Sequence, residues 1–114
     1  MEMESSLTPR GVHYLVHLSL PPSQSSLEEE LLAHARSFFD ILGGAERQDL
    51  GSYWRVGKDT SSPERHFESM LVPKGSGQSE PILVARRLEV SLRSLLEIVN
   101  VKREAVEVFA RTVP

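Results

Sequence analysis

An α+β fold with the order strand, helix, strand, strand, helix, strand is predicted for this chain by three observations. Val12 to Leu20 alternates apolar and polar residues and runs straight into Pro21-Pro22. Leu27 to Leu42 repeats its apolar residues at helical spacing, and a second helical pattern follows Pro81. Short strand-like runs lie between and after the helices. That βαββαβ order is the split-βαβ, ferredoxin-like signature: a four-stranded antiparallel sheet with two helices on one face. Its other face is left open, which points to a binding module rather than an enzyme.

The elements follow in order. Residues 1–11 read as an N-terminal extension and 12–114 as a single domain. In the first strand Val12, Tyr14, Val16, Leu18 and Leu20 share one face, with His13, Leu15, His17 and Ser19 on the other. The prolines end it, because they cannot donate to a ladder. Ser25 or Ser26 then offers a helix cap, with Glu28 or Glu29 to complete a capping box. Glu28, Glu29 and Glu30 suit the positive end of the helix dipole. Leu27, Leu31, Leu32, Ala35, Phe38, Phe39 and Leu42 form the buried stripe, and Gly43-Gly44 the left-handed stop.

Ser52 to Val56 and His66 to Val72 read as strands joined by a polar loop. Lys74 to Ser79 is a Gly/Ser linker, and Pro81 fits the first turn of the second helix. Val84, Leu88, Leu92, Leu95, Leu96 and Val99 make its apolar stripe; Arg86, Glu89, Arg93 and Glu97 make its wet side. Glu89 and Arg93 form a favourable i,i+4 pair. Ile82, Val84, Leu88, Val90 and Leu92 also fit a period of two, but a stretch of about 18 residues exceeds the usual strand length. Ala105 to Val113 closes the fold, with Glu107, Phe109 and Arg111 on the face that carries His13, Leu15 and His17. These five, His13, Leu15, His17, Phe109 and Arg111, are the candidate partner contacts of the open face.

Composition narrows the function classes. The chain has 114 residues, 39% of them apolar and 25% charged, and a net charge of −3 from 13 basic and 16 acidic side chains. A domain binding nucleic acid over its whole surface is usually basic, so any RNA contact must be a local patch. There is no cysteine, which excludes disulfides and thiolate chemistry and fits an intracellular compartment. No apolar run approaches the ~20 residues of a membrane span.

Catalytic and metal motifs are few. His13 and His17 would lie roughly 13 Å apart on a strand, too far to share one zinc ion. His34 and His66 read as solvated surface histidines. No G-x-S-x-G elbow is present, and Gly75-Ser76-Gly77 beside Lys74 lacks the full phosphate-loop pattern. The reading is therefore no enzyme, no cofactor and no metal. Arg47, Arg55, Lys58 and Arg65 fall around the second strand with Tyr53 and Trp54 among them, residue types that neutralise phosphates and stack on bases. Trp54 equally suits a core or a protein interface. Arg86 and Arg87 with Lys102 and Arg103 make a second basic area.

Three stretches carry a family resemblance. Tyr14-Leu15-Val16-His17-Leu18-Ser19-Leu20-Pro21 resembles the tyrosine-led first strand of the bacterial-type small-subunit ribosomal protein S-six family. Gln48-Asp49-Leu50-Gly51, followed by Val56-Gly57-Lys58, resembles its Glu-Leu-Gly segment and basic second strand. Arg86-Arg87-Leu88 through Asn100-Val101, then Ala105 to Ala110, is similar to its second helix and closing strand. Ser52-Tyr53-Trp54 replaces the family's Leu-Ala-Tyr-Pro run, which points to a divergent, mitochondrial rather than bacterial member. The resemblance implies a structural component of the small ribosomal subunit that binds ribosomal RNA and ribosomal protein S-eighteen, with no small-molecule substrate. Gly51, Arg55 and Lys58, and less specifically Arg86 and Arg87, are the RNA or partner contacts the resemblance implies; Trp54 joins the candidate set as an aromatic that can stack on a base. The alternative is a self-associating ferredoxin-like regulatory or scaffold domain, since Ser52-Tyr53-Trp54 through Gly57-Lys58 is similar to the aromatic second strand of the divalent-cation-tolerance family.

Overall fold

A computed structural model describes residues 11–56, 63–74 and 80–113. The extension before Gly11, the loop holding Gly57, Lys58 and Asp59, and the linker residues Gly75 to Ser79 lie outside the described residues. The elements are β1 (Gly11–Leu20), α1 (Leu27–Asp40), β2 (Ala45–Val56), β3 (Pro63–Pro73), α2 (Pro81–Ile98) and β4 (Val106–Val113). The four strands form one antiparallel sheet in the order β2-β3-β1-β4. This is the ferredoxin-like arrangement, with both helices over one face.

Alternation in β1 builds the core. Tyr14, Val16, Leu18 and Leu20 point to the helices and are buried, as are Leu71 of β3 and Val106 and Val108 of β4. Leu31, Leu32, Ala35 and Phe39 of α1 and Leu88, Leu92 and Leu96 of α2 close on them. Tyr14 meets Phe39 with ring centroids 5.2 Å apart. Burying each such side chain contributes about 1.5–3 kcal/mol.

Several local expectations are corrected. No capping box forms at α1: Ser26 is helical and makes no side-chain cap. A 3-10 turn over Pro22–Gln24 runs into the helix, and the Ser25 carbonyl takes the Glu28 N–H at 3.2 Å. The helix ends at Asp40, so Leu42 lies beyond the buried stripe and is exposed. Gly43 and Gly44 stop it at φ 103° and 91°, and the Gly44 N–H reaches the Phe39 carbonyl at 2.7 Å.

The second strand starts seven residues earlier than Ser52, at Ala45; Glu46, Arg47, Gln48 and Asp49 are all polar and so carry no apolar alternation. A register shift between Asp49 and Gly51 marks a bulge at Leu50, and Gly51 adopts φ 143° there. The two-fold periodicity of 82–92 is resolved as helix, which leaves Ile82 and Val90 exposed while Val84, Leu88 and Leu92 are buried.

Glu89 and Arg93 do more than pair on a wet surface. Their ion pair is 3.4 Å. The Glu89 carboxylate accepts the Val108 N–H at 2.8 Å, and Arg93 Nε donates to the Val106 carbonyl at 3.1 Å. Together they occupy backbone groups on the outer edge of β4. His34 is not a solvated histidine either, since its Nε2 lies 2.6 Å from Ser91 Oγ and links the two helices. Among the described residues no helix is long and apolar enough to cross a membrane.

Candidate functional site

The register places the open-face side chains in rows across the strands. Tyr53, His66 and Ser19 form one row, and Gly51, Glu68, His17 and Glu107 the next. Beyond them come Met70, Leu15 and Phe109, then His13 and Arg111. Thus His13, Leu15, His17, Phe109 and Arg111 do share one surface. Arg55 and Glu64 sit opposite each other at its far end.

The chemistry concentrates on a pair that sequence reading did not join. His17 Nε2 lies 3.2 Å from His66 Nδ1, and Ser19 Oγ lies 3.3 Å from that same Nδ1. The outer nitrogens face carboxylates, with His17 Nδ1 at 3.6 Å from Glu107 and His66 Nε2 at 3.8 Å from Glu64. Tyr53 lies directly across the ladder from His66 and stacks on it, centroids 4.9 Å apart and planes 11° from parallel. The line Glu107, His17, His66, Glu64 thus crosses strands β4, β1 and β3.

His66 is the correction that matters most here. It is 8% exposed, not a solvated surface residue, because Tyr53, His17 and Ser19 cover its ring. Its Nε2 is buried without a hydrogen-bond partner. Burial, and then the neighbouring His17, hold its pKa below the ordinary value. The ring is therefore neutral near pH 7. The available signal was the run Glu64-Arg65-His66-Phe67-Glu68, whose period of two puts both carboxylates and the imidazole on one face.

Two members of the basic cluster are engaged by carboxylates. Arg47 makes a bidentate contact with Glu29 at 2.8 and 3.0 Å and a further bond to Asp49 at 2.7 Å. Asp49 also accepts from Ser69, and the guanidinium beside them holds both the Glu29 and Asp49 carboxyls below the usual range. Arg65 Nε donates to Glu28 at 2.6 Å and lies 5.7 Å from the Trp54 ring.

Trp54 is on the helix side of the sheet, 52% exposed, and Arg55 is on the other side. Gly51 serves the bulge. Arg86 and Arg87 are exposed on α2, in the helix layer away from Arg55, and Lys58 lies outside the described residues. Among the described residues, Trp54, Arg55 and the Arg86–Arg87 pair of the implied set therefore lie on different surfaces.

Among the described residues no group of three or more His, Asp or Glu side chains converges as a metal site. No family model matches the chain, and no curated protein matches it. Solved structures do. A phage SAM lyase in the apo state is similar with a TM-score of 0.50 and 13% identity, over 90% of each chain. The phage SAM lyase in complex with S-methyl-5'-thioadenosine is similar with a TM-score of 0.49 and 13% identity, over 93% of this chain and 92% of that one.

These findings overturn the ribosomal reading, its RNA and S-eighteen partners, and the self-associating scaffold alternative, none of which any match supports. The expectation of a non-enzymatic module without a small-molecule substrate, drawn from the fold alone, falls too, since the same fold is that of an enzyme in the phage protein. At this identity the likeness establishes a common fold.

Proposed function

We propose that this chain is a small-molecule enzyme that cleaves S-adenosylmethionine or a closely related sulfonium on the open face of its sheet. The observation that carries the reading is the histidine pair, set among carboxylates and stacked under an aromatic ring on a solvent-facing surface. Glu64, Glu68 and Glu107 offer negative charge to an onium centre, and Tyr53 offers a ring face that attracts cations. Arg55, across from Glu64, is the nearby cation for the carboxylate of the amino-acid end. The fold shared with the phage SAM lyase supports the same class.

The chemistry balances without water. The bond from the sulfonium to Cγ of the amino-acid chain breaks, and its electron pair goes to sulfur. The leaving thioether is neutral S-methyl-5'-thioadenosine and needs no acid. The four-carbon remainder loses a Cβ proton to a base, which the more exposed His17–Glu107 pair supplies, and an alkene forms. His66, in contact with His17, orients that imidazole.

Mass spectrometry of the purified chain with S-adenosylmethionine tests this. The thioether should accumulate well above the spontaneous background, and His17→Gln should abolish the excess. Background release from a folded chain that also fails to bind the sulfonium in calorimetry would contradict it.

A further inference from the structure

We propose that the outer edge of β4, from Val108 to Thr112, accepts an extended segment of another polypeptide as a fifth strand. The segment carries branched aliphatic side chains at alternate positions and an acidic one between them. This does not rest on the sulfonium reading.

Among the described residues β1 lies on one side of β4 and no strand lies on the other. The Val108 N–H leaves the ladder to reach Glu89, and the Val106 carbonyl leaves it to reach Arg93. Backbone direction alternates residue by residue in an antiparallel pair, so Ala110 and Thr112 also turn their N–H and C=O groups outward. Arg93 plugs the edge at Val106 and Glu89 plugs it at Val108. One turn back along α2 stands Ala85, and a further turn back stands Ile82. Neither side chain has a polar atom, so the plug stops halfway along the strand. An edge left open in this way is a template for an added strand. The opposite edge, β2, is interrupted by the bulge at Leu50.

The side chains around the open half suit one kind of segment. An added strand sends alternate side chains to the two faces of the sheet. On the helix side they enter an open groove of ≈ 530 Å³ between Ile82, Ala85 and Val90 of α2 and Val108 and Ala110 of β4. Ile82 and Val90 are 66% and 63% exposed, apolar surface that branched aliphatic side chains cover. On the other face the added residues flank Phe109 and Arg111, both exposed. Arg111 has no carboxylate partner among the described residues, and Arg86 at the rim of the groove adds the same sign. Both favour an acid on the incoming segment. Val108 to Thr112 spans about 13 Å, room for roughly five residues. Main-chain hydrogen bonds supply affinity in such additions, and the alternate pockets supply selectivity.

The test is an NMR titration of the labelled full chain with the end-blocked synthetic peptide Val-Glu-Val-Thr-Val. Paired antiparallel, its middle valine faces Ala110 and its glutamate faces Arg111. The backbone amides of Ala110 and Thr112 and the methyl signals of Ile82 and Val90 should move, while the amides of β2 stay in place. Val-Glu-Pro-Thr-Val, which lacks the central N–H, should bind about tenfold more weakly. Arg111→Glu should weaken the glutamate peptide about tenfold and favour Val-Lys-Val-Thr-Val instead. Ile82→Ser should weaken both. No shifts at millimolar peptide, an equal response to all three peptides, or shifts confined to β2 would overturn the proposal. Concentration-dependent movement of the Ala110 and Thr112 amides in the chain alone would overturn it too, because a second copy would then hold the edge.

Discussion

Tyr53 lies flat on His66, ring centroids 4.9 Å apart and planes 11° from parallel, from the facing position of the neighbouring strand. A half-exposed aromatic on an edge strand thereby becomes the roof of a buried imidazole. The burial that lowers the His66 pKa is therefore partly the work of Tyr53. Replacing Tyr53 with Ala should move the His66 titration, followed by imidazole NMR, up towards the ordinary value of about 6.5. Tyr53→Phe should leave it near its native position, because the ring and not the hydroxyl does the covering.

The same depressed pKa sets a sign for stability against pH. The unfolded chain binds a proton to His66 at about pH 6.5, whereas the folded chain resists it. Below that pH the unfolded state carries more protons, so stability falls as pH falls through the window down to the native pKa. His17, Glu64, Glu68 and Arg55 all act on this ring, and the net direction remains downward. Urea unfolding across that range should show the decline, and His66→Gln should flatten it.

Gly51 sits in the β2 bulge at φ 143°, and a Cβ there would meet nothing within 4 Å. Its requirement is conformational rather than steric crowding. Gly51→Ala should cost about 1–2 kcal/mol by denaturant unfolding, with the fold retained. A cost near zero would mean that the bulge relaxes.

Glu89 and Arg93 together take the Val108 N–H and the Val106 carbonyl on the edge of β4. Glu89→Ala removes a charged hydrogen-bond partner and should cost about 1.5–3 kcal/mol. It also frees part of a strand edge, a template for pairing with other chains. Sedimentation velocity should show more association in the variant than in the parent chain.

The architecture was legible because its signals are periodic. The alternation of Tyr14, Val16, Leu18 and Leu20 and the helical stripe from Leu27 to Phe39 each specify an element and its buried face. Strand β2 was only half legible, since Ala45, Arg47 and Asp49 turn an ion network, not an apolar face, towards the helix layer.

The site was hidden for a related reason. His17 and His66 lie 49 residues apart in the chain, and their contact depends on a register that no local pattern states. The basic residues misled because charge was counted without partners, and Arg47 and Arg65 spend theirs on Glu29, Asp49 and Glu28. The ribosomal resemblance rested on short permissive stretches that many strands of this fold satisfy.

The most direct test of the central claim is an NMR titration of the labelled full chain with S-adenosylmethionine. With the sulfonium on the open face, the imidazole signals of His17 and His66 and the backbone amides of Ser19, Tyr53 and Glu68 should move together as the ligand is added. Shifts confined to α1 and α2, or none at ligand excess, would contradict the assignment of function to the open face.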